Sequence, residues 1–229
     1  MILHRNKHIM YPLPPITIND YVLQEVFKTR FLGVVISKSL LWHNHITHLK
    51  DKLSKICGIM YLSKSYIPKS AMLSIYYALV YPNLTYCNTV WGCASREALR
   101  PLEVLQKRVI RTIEGLRKRD HTNPVFHKFK LLKLSDINIF LCSTHVFKCL
   151  NGLVINNFNF NARNTGYQTR SCNALQTPRA LSSQSQTNIK CHGPKTYNDL
   201  PSHIKNKSSL FSFKRSLKQH LLDRYENNV

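Results

Sequence analysis

Apolar residues recur at alternating steps of three and four through Ile46, Leu49, Leu53, Ile56 and Met60. That is the spacing of an amphipathic helix, expected to run to about Tyr66 and to be ended by Pro68. A second helix is predicted from Ser70 to Tyr81; it is apolar nearly all round and therefore central to its bundle, with Pro82 stopping it. A third is predicted from about Ser95 to Glu114, with Leu102, Leu105, Val109 and Ile113 on one face, Lys107, Arg108 and Arg111 opposite, and Gly115 as its cap. A short helix near Pro124 to Lys130 follows. A longer one spans Ser135 to Leu150, with Ser135 as cap, Asp136 favourable in the first turn and Gly152 closing it. A terminal helix starting at Ser209 or Ser212 carries Leu217, Leu221 and Leu222.

The first 36 residues instead favour strands. "MILH" is short and apolar, "PLPP" is a stiff connector, and "ITINDYVLQEVF" places Asn19-Asp20 between two β-prone runs, a hairpin signal. Phe31 to Ile36 reads as a third strand, in which Gly33 either weakens the strand or lets another backbone come close. Asn151 to Asn188 is rich in Asn, Ser, Thr and Gln and reads as a loop-rich linker. The expected fold is α+β and mostly α: a small antiparallel β remnant over 1–40, a helical bundle over 41–155, a polar linker over 156–190 and a C-terminal helical segment over 191–229.

Charge changes this picture most. Across 229 residues, 33 Lys+Arg oppose 11 Asp+Glu, a formal net charge of +22. Self-repulsion of this size opposes compaction unless a polyanion neutralises it, so nucleic acid is the expected partner and an anionic membrane surface the lesser option. Lys107, Arg108 and Arg111 are continued past the helix end by Arg117, Lys118 and Arg119, with Glu114 the one acidic residue among them. Such a run is usually a solvated face; the scarcity of interleaved acids favours phosphate contact instead. Seven cysteines, an odd number with no C-x-x-C and no secretory leader, point to a reducing, intracellular setting, nuclear or cytoplasmic rather than secreted. The most apolar stretch, Ala71 to Val80, is about half of what a membrane span requires, so no membrane is expected.

Enzymatic constellations mostly fail. The six aspartates, Asp20, Asp51, Asp120, Asp136, Asp199 and Asp223, are scattered, whereas two-metal phosphoryl transfer needs clustered carboxylates. Glycine-rich phosphate loops do not occur. Cys191 and His192 are neighbours on the chain and point apart, which disfavours a nucleophile pair. Zinc between Cys87, Cys93 and one of His43, His45 or His48 fits none of the common spacings, so no metal ligand and no catalytic residue is assigned.

Five stretches in order, "RFLGVVISKSLLWHNHI", "SKICGIMYLSKSYIPKSAMLSIYYALVYPNLTYCNTVWG", "LEVLQKRVIR", "HTNPVF" and "GPKTYNDLPSHIKNKSSLFSFKRSLKQHLL", resemble the C-terminal part of a non-LTR (LINE-type) retrotransposon reverse transcriptase, over nearly the whole chain. The resemblance implies that Phe31, Leu32 and Gly33 form the primer-grip turn ending the palm, and that the helices after Trp42 are the thumb. A glycine there suits close approach of backbone to a sugar-phosphate. Tyr197 stands where the family often has tryptophan. The aromatic-Ala-Asp-Asp motif of the family is not in this sequence, so Mg²⁺ is implied only together with a palm that carries it. The expectation is a truncated fragment that binds a primer–template hybrid of RNA and DNA, with possible association with a full-length reverse transcriptase. Two alternatives stand beside it, a host-recruited basic nucleic-acid-binding module and a non-functional pseudogene product. The residues assigned to nucleic-acid contact are Phe31, Leu32, Gly33, Lys107, Arg108, Arg111, Arg117, Lys118 and Arg119.

Overall fold

A computed structural model describes residues 15–24, 26–154, 160–163, 174–180 and 183–226. The expected "MILH" strand and most of "PLPP" lie outside them. The chain is α+β and mostly α, as its patterning predicts: two small antiparallel hairpins precede a helical body.

Strands β1 (Thr17–Ile18) and β2 (Tyr21–Val22) pair across Asn19-Asp20, both left-handed at φ 48° and 67°, the backbone of the turn that Asn and Asp tolerate best. The single strand expected over Phe31 to Ile36 is instead split. β3 (Lys28–Phe31) turns at Leu32-Gly33, φ 46° and 82°, into β4 (Val34–Ser37), with Phe31 opposite Val34. Two successive left-handed residues match the twist of a two-residue hairpin, and Gly33 takes that conformation without Cβ strain.

Helix α1 (His43–Ser63) buries Ile46, Leu49, Leu53, Ile56 and Met60, the predicted stripe, and ends slightly before Tyr66. Pro82 does not stop the second helix. α2 (Lys69–Ile75) passes through a π-helical turn (Tyr76–Val80) into α3 (Tyr81–Thr85). The Tyr81 N–H donates to the Tyr76 carbonyl, five residues back. The widened turn absorbs the carbonyl that the proline ring would otherwise strike.

A short α4 (Asn88–Trp91) leads to α5 (Arg96–Glu114). Gly115 ends α5 at φ 83°, as expected, and the structure adds an N-terminal cap, Ser95 accepting from the Ala98 N–H. After α6 (Asn123–Lys128) comes α7 (Leu134–Leu150), whose expected Ser135 cap is not used. Its first orphan donors are met from afar: the Leu134 N–H donates to Gln106 Oε1 (2.9 Å) and the Lys133 N–H to the Tyr225 hydroxyl (3.0 Å). Gln106 is 2% exposed, and its Nε2 donates to the Tyr76 hydroxyl and the Leu132 carbonyl. Helix starts need such partners when buried, and here tertiary packing supplies them.

The expected linker includes an isolated bridge, Ala162 to Leu175, and α8 (Ser183–Gln186). The C-terminal segment is α9 (Ile189–Asn198), α10 (Ser202–Lys205) and α11 (Leu210–Asp223), the last capped by Ser209. α1 packs along α5, while α7 is central, touched by α3, α4, α5, α9 and α11. Phe147 of α7 stacks on Phe213 of α11, centroids 4.2 Å apart.

Among the described residues no helix is long and apolar enough to cross a membrane.

Candidate nucleic-acid interface

The Leu32-Gly33 turn presents Phe31 and Leu32 to solvent at 62% and 74% exposure. Large apolar side chains at that exposure gain nothing from the core, so they are free to meet a partner. The turn is anchored from below. The Tyr86 hydroxyl donates 2.6 Å to the Leu32 carbonyl, and a Cβ at Gly33 would sit 3.5 Å from the Tyr86 ring.

Beside the turn opens a cleft of about 530 Å³ between β3, α1 and the α2–α3 helix, lined among others by Arg30, Gly33, His48, Lys52 and Tyr86. Arg30 and Lys52 bring positive charge to it from two different elements. His45 also lines it but contributes no charge near neutrality. Burial, reinforced by His48, lowers its pKa to about 4. Its Nδ1 accepts from the Val35 N–H (3.3 Å), tying α1 to β4, and its ring meets Trp91 edge-on at 5.7 Å.

The other predicted contacts form a second surface. Arg108, Arg117, Lys118 and Arg119 are exposed, and Lys107 and Arg111 are half-buried. None of the six lines the cleft. Arg111 is partly committed to structure, because its Nε and Nη2 both donate to the Asp120 carbonyl (3.2 and 3.1 Å), while the Arg117 N–H donates to Asp120 Oδ2. These bonds fold the 116–120 turn back on α5. Glu114, the acid within the strip, is neutralised by Lys128 (2.8 Å) and Lys69 (3.4 Å), which hold its carboxyl below the usual carboxylate range against a smaller opposing effect of burial.

The structure thus brings Gly33 together with Arg30, His48 and Lys52 in one cleft, sets the exposed Phe31 and Leu32 at the same turn, and leaves the α5 strip outside that cleft. Arg30 is adjacent to Phe31 in sequence, and His48 and Lys52 share a helix face at i and i+4. Nothing in the sequence marked Tyr86. No cluster of carboxylates able to hold a metal occurs among the described residues; Asp136 is buried and accepts from the Tyr225 hydroxyl.

No protein-family model matches the chain, and no solved structure does. Part of the chain is similar to retrotransposon polymerases. It is 29% identical over 126 residues, 54% of the chain, to the RNA-directed DNA polymerase from mobile element jockey of Drosophila funebris. It is 28% identical over 105 residues, 44% of the chain, to the probable RNA-directed DNA polymerase from transposon X-element of Drosophila melanogaster, and 23% identical over 126 residues to that fly's jockey polymerase. The matched parts cover 14%, 12% and 14% of those relatives, so the chain spans a small part of their length. About half of the chain is therefore a reverse-transcriptase-like region of non-LTR retrotransposon type.

Proposed function

We propose that this reverse-transcriptase-like chain holds a primer–template of RNA and DNA, with Phe31, Leu32 and Gly33 against the primer end and the exposed bases of α5 and its following turn on phosphates. The observation that carries this reading is the rigid, apolar-tipped turn beside a cationic cleft. An exposed Phe–Leu pair can stack on a terminal nucleotide while Arg30 and Lys52 neutralise the adjoining phosphates, the combination by which proteins grip nucleic-acid strands. The likeness to RNA-directed DNA polymerases over half the chain supports the same reading, as does the net charge of +22.

Polymerisation needs carboxylates gathered around two divalent ions, and the described residues do not supply that donor set. Mg²⁺ therefore does not fit the side chains of the described residues. Nucleotide addition is assigned to carboxylates outside them, and association with a complete polymerase belongs to the same proposal.

The test is binding of the purified chain to a duplex with a recessed 3′ end, to the blunt duplex and to single strands. Preference for the recessed end, lost in Phe31→Ala/Leu32→Ala, supports the proposal. Equal affinity for all three overturns primer recognition and leaves a general basic binding module. Nucleotide incorporation by the chain alone, with Mg²⁺ or Mn²⁺, overturns the assignment of catalysis elsewhere.

A further inference from the structure

Cys93, just past α4, Cys142 in the middle of α7 and His192 on α9 come from distant parts of the chain, yet their ligand-type atoms all lie within 4.8 Å of one another. We propose that these three side chains form a binding site for a thiophilic divalent cation, Zn²⁺ foremost, that clamps the C-terminal helices to the helical body. The inference goes beyond nucleic-acid binding and does not depend on it.

Ligand atoms around tetrahedral zinc, with Zn–S of about 2.3 Å and Zn–N of about 2.0 Å, stand about 3.5–3.8 Å apart. Sulfur and nitrogen atoms already within 4.8 Å reach that arrangement by side-chain movements of about 1 Å. The donor chemistry is selective. Two thiolates and an imidazole are soft to borderline ligands that favour zinc over magnesium or calcium, and two thiolates neutralise a dication in a site that is otherwise costly to charge. Binding releases the two thiol protons to solvent, so no further reactant is needed.

The surroundings resemble a supporting shell. Asn138 of α7 contacts both sides of the cluster: its Oδ1 lies 2.9 Å from His192 Nε2, and its Nδ2 donates to Cys93 Sγ at 3.8 Å. The same Nδ2 also reaches the Asn88 carbonyl and side-chain oxygen. With Nε2 held by an oxygen acceptor, His192 would ligate through its other ring nitrogen, the division of roles that outer-shell partners impose on ligating histidines. The elements come this close because two of the ligands neighbour glycines. A Cβ on Gly92 would stand 2.6 Å from Asn138 Nδ2, and one on Gly193 would stand 2.9 Å from Val146. Cys142 is fully buried while Cys93 and His192 are half-buried, so the cluster has a dry floor and two ligands that solvent partly reaches.

The test uses the reduced, chelator-treated 229-residue chain. Co²⁺ is expected to bind at one equivalent with thiolate-to-cobalt charge-transfer absorption, to be displaced by Zn²⁺ and not by Mg²⁺. Cys93→Ser and His192→Gln should each weaken binding at least about ten-fold, while Cys149→Ser leaves it unchanged. On the unsubstituted chain, where no variant has to fold, Zn²⁺ should slow alkylation of Cys93, read by peptide mass mapping, and raise the Tm. Absence of the charge-transfer band, its persistence in Cys93→Ser, or alkylation of Cys93 at the same rate with and without Zn²⁺ overturns the site. Nucleic-acid binding serves as a separate readout, so loss of the zinc site and loss of primer recognition are distinguishable.

Discussion

The Tyr86 hydroxyl reaches across 54 positions of sequence to the Leu32 carbonyl, a 2.6 Å bond that fixes the hairpin tip to the end of α3. The tip therefore does not depend on its own two-residue turn for rigidity. Hairpins of four-residue strands are marginal alone, and here the hairpin is held by Tyr86 at its tip and by His45 along its second strand.

Tyr86→Phe should loosen the tip while leaving the ring that packs under Gly33. The expected result is a several-fold loss of affinity for a recessed 3′ end with unchanged affinity for blunt duplex, measured by fluorescence anisotropy. Equal losses on both substrates would separate the turn from end recognition.

Reversing charge at two exposed positions, Arg108→Glu with Arg119→Glu, should weaken binding across all sequences. It should also flatten the dependence of log affinity on log salt by about 2, since each phosphate contact contributes about 0.9. Arg111 is left out because its guanidinium holds the Asp120 carbonyl, so its replacement tests the turn as well as the charge. An unchanged slope would mean that the strip is a solvated face.

Acidification should weaken the fold through His45. Its pKa falls from 6.5 to about 4, chiefly by burial, so between those values the unfolded chain binds the extra proton. Stability from this group is full above about pH 6.5 and is lost as the pH falls toward 4, by on the order of 3 kcal/mol. Denaturant unfolding from pH 7 to 4.5 checks this. His45→Gln, which keeps an acceptor for the Val35 N–H, should remove that part of the slope. A variant with the slope of the unsubstituted chain would contradict the assignment.

Gln106→Leu removes the hub between α5, the π-helical turn and the start of α7. It strands the Leu132 carbonyl and the Leu134 N–H in a buried site, at a cost on the order of 3 kcal/mol. A fall in the denaturant midpoint with an unchanged m-value is expected; a midpoint close to that of the unsubstituted chain would show that α7 starts without this partner.

Local periodicity was enough to find the helices whose apolar stripes face the body. The stripe of α1 from Ile46 to Met60 and the Ser95 and Gly115 ends of α5 follow from 3.6-residue repetition and from capping chemistry, which act over a turn or two. The Asn19-Asp20 hairpin was legible for the same reason. The turn at Leu32-Gly33 was not legible from pattern, because Phe31 to Ile36 reads as one apolar run and the left-handed φ of Leu32 has no side-chain signature.

By itself, then, the sequence determined the helical body, the basic surplus and the likeness to a retrotransposon polymerase, all of them properties of neighbouring residues or of composition. Only the tertiary structure decided that the helix continues past Pro82, where a π-helical turn relieves the clash; that α7 is capped by Gln106 and Tyr225 rather than Ser135; and that Arg30 and Lys52 share a cleft from which the α5 bases are separate. It also decided that Cys93 meets Cys142 and His192 rather than Cys87 or the histidines of α1. Apart from the turn before Pro82, each of these is a meeting of residues distant along the chain, and such meetings are set by how helices pack, which no local spacing encodes.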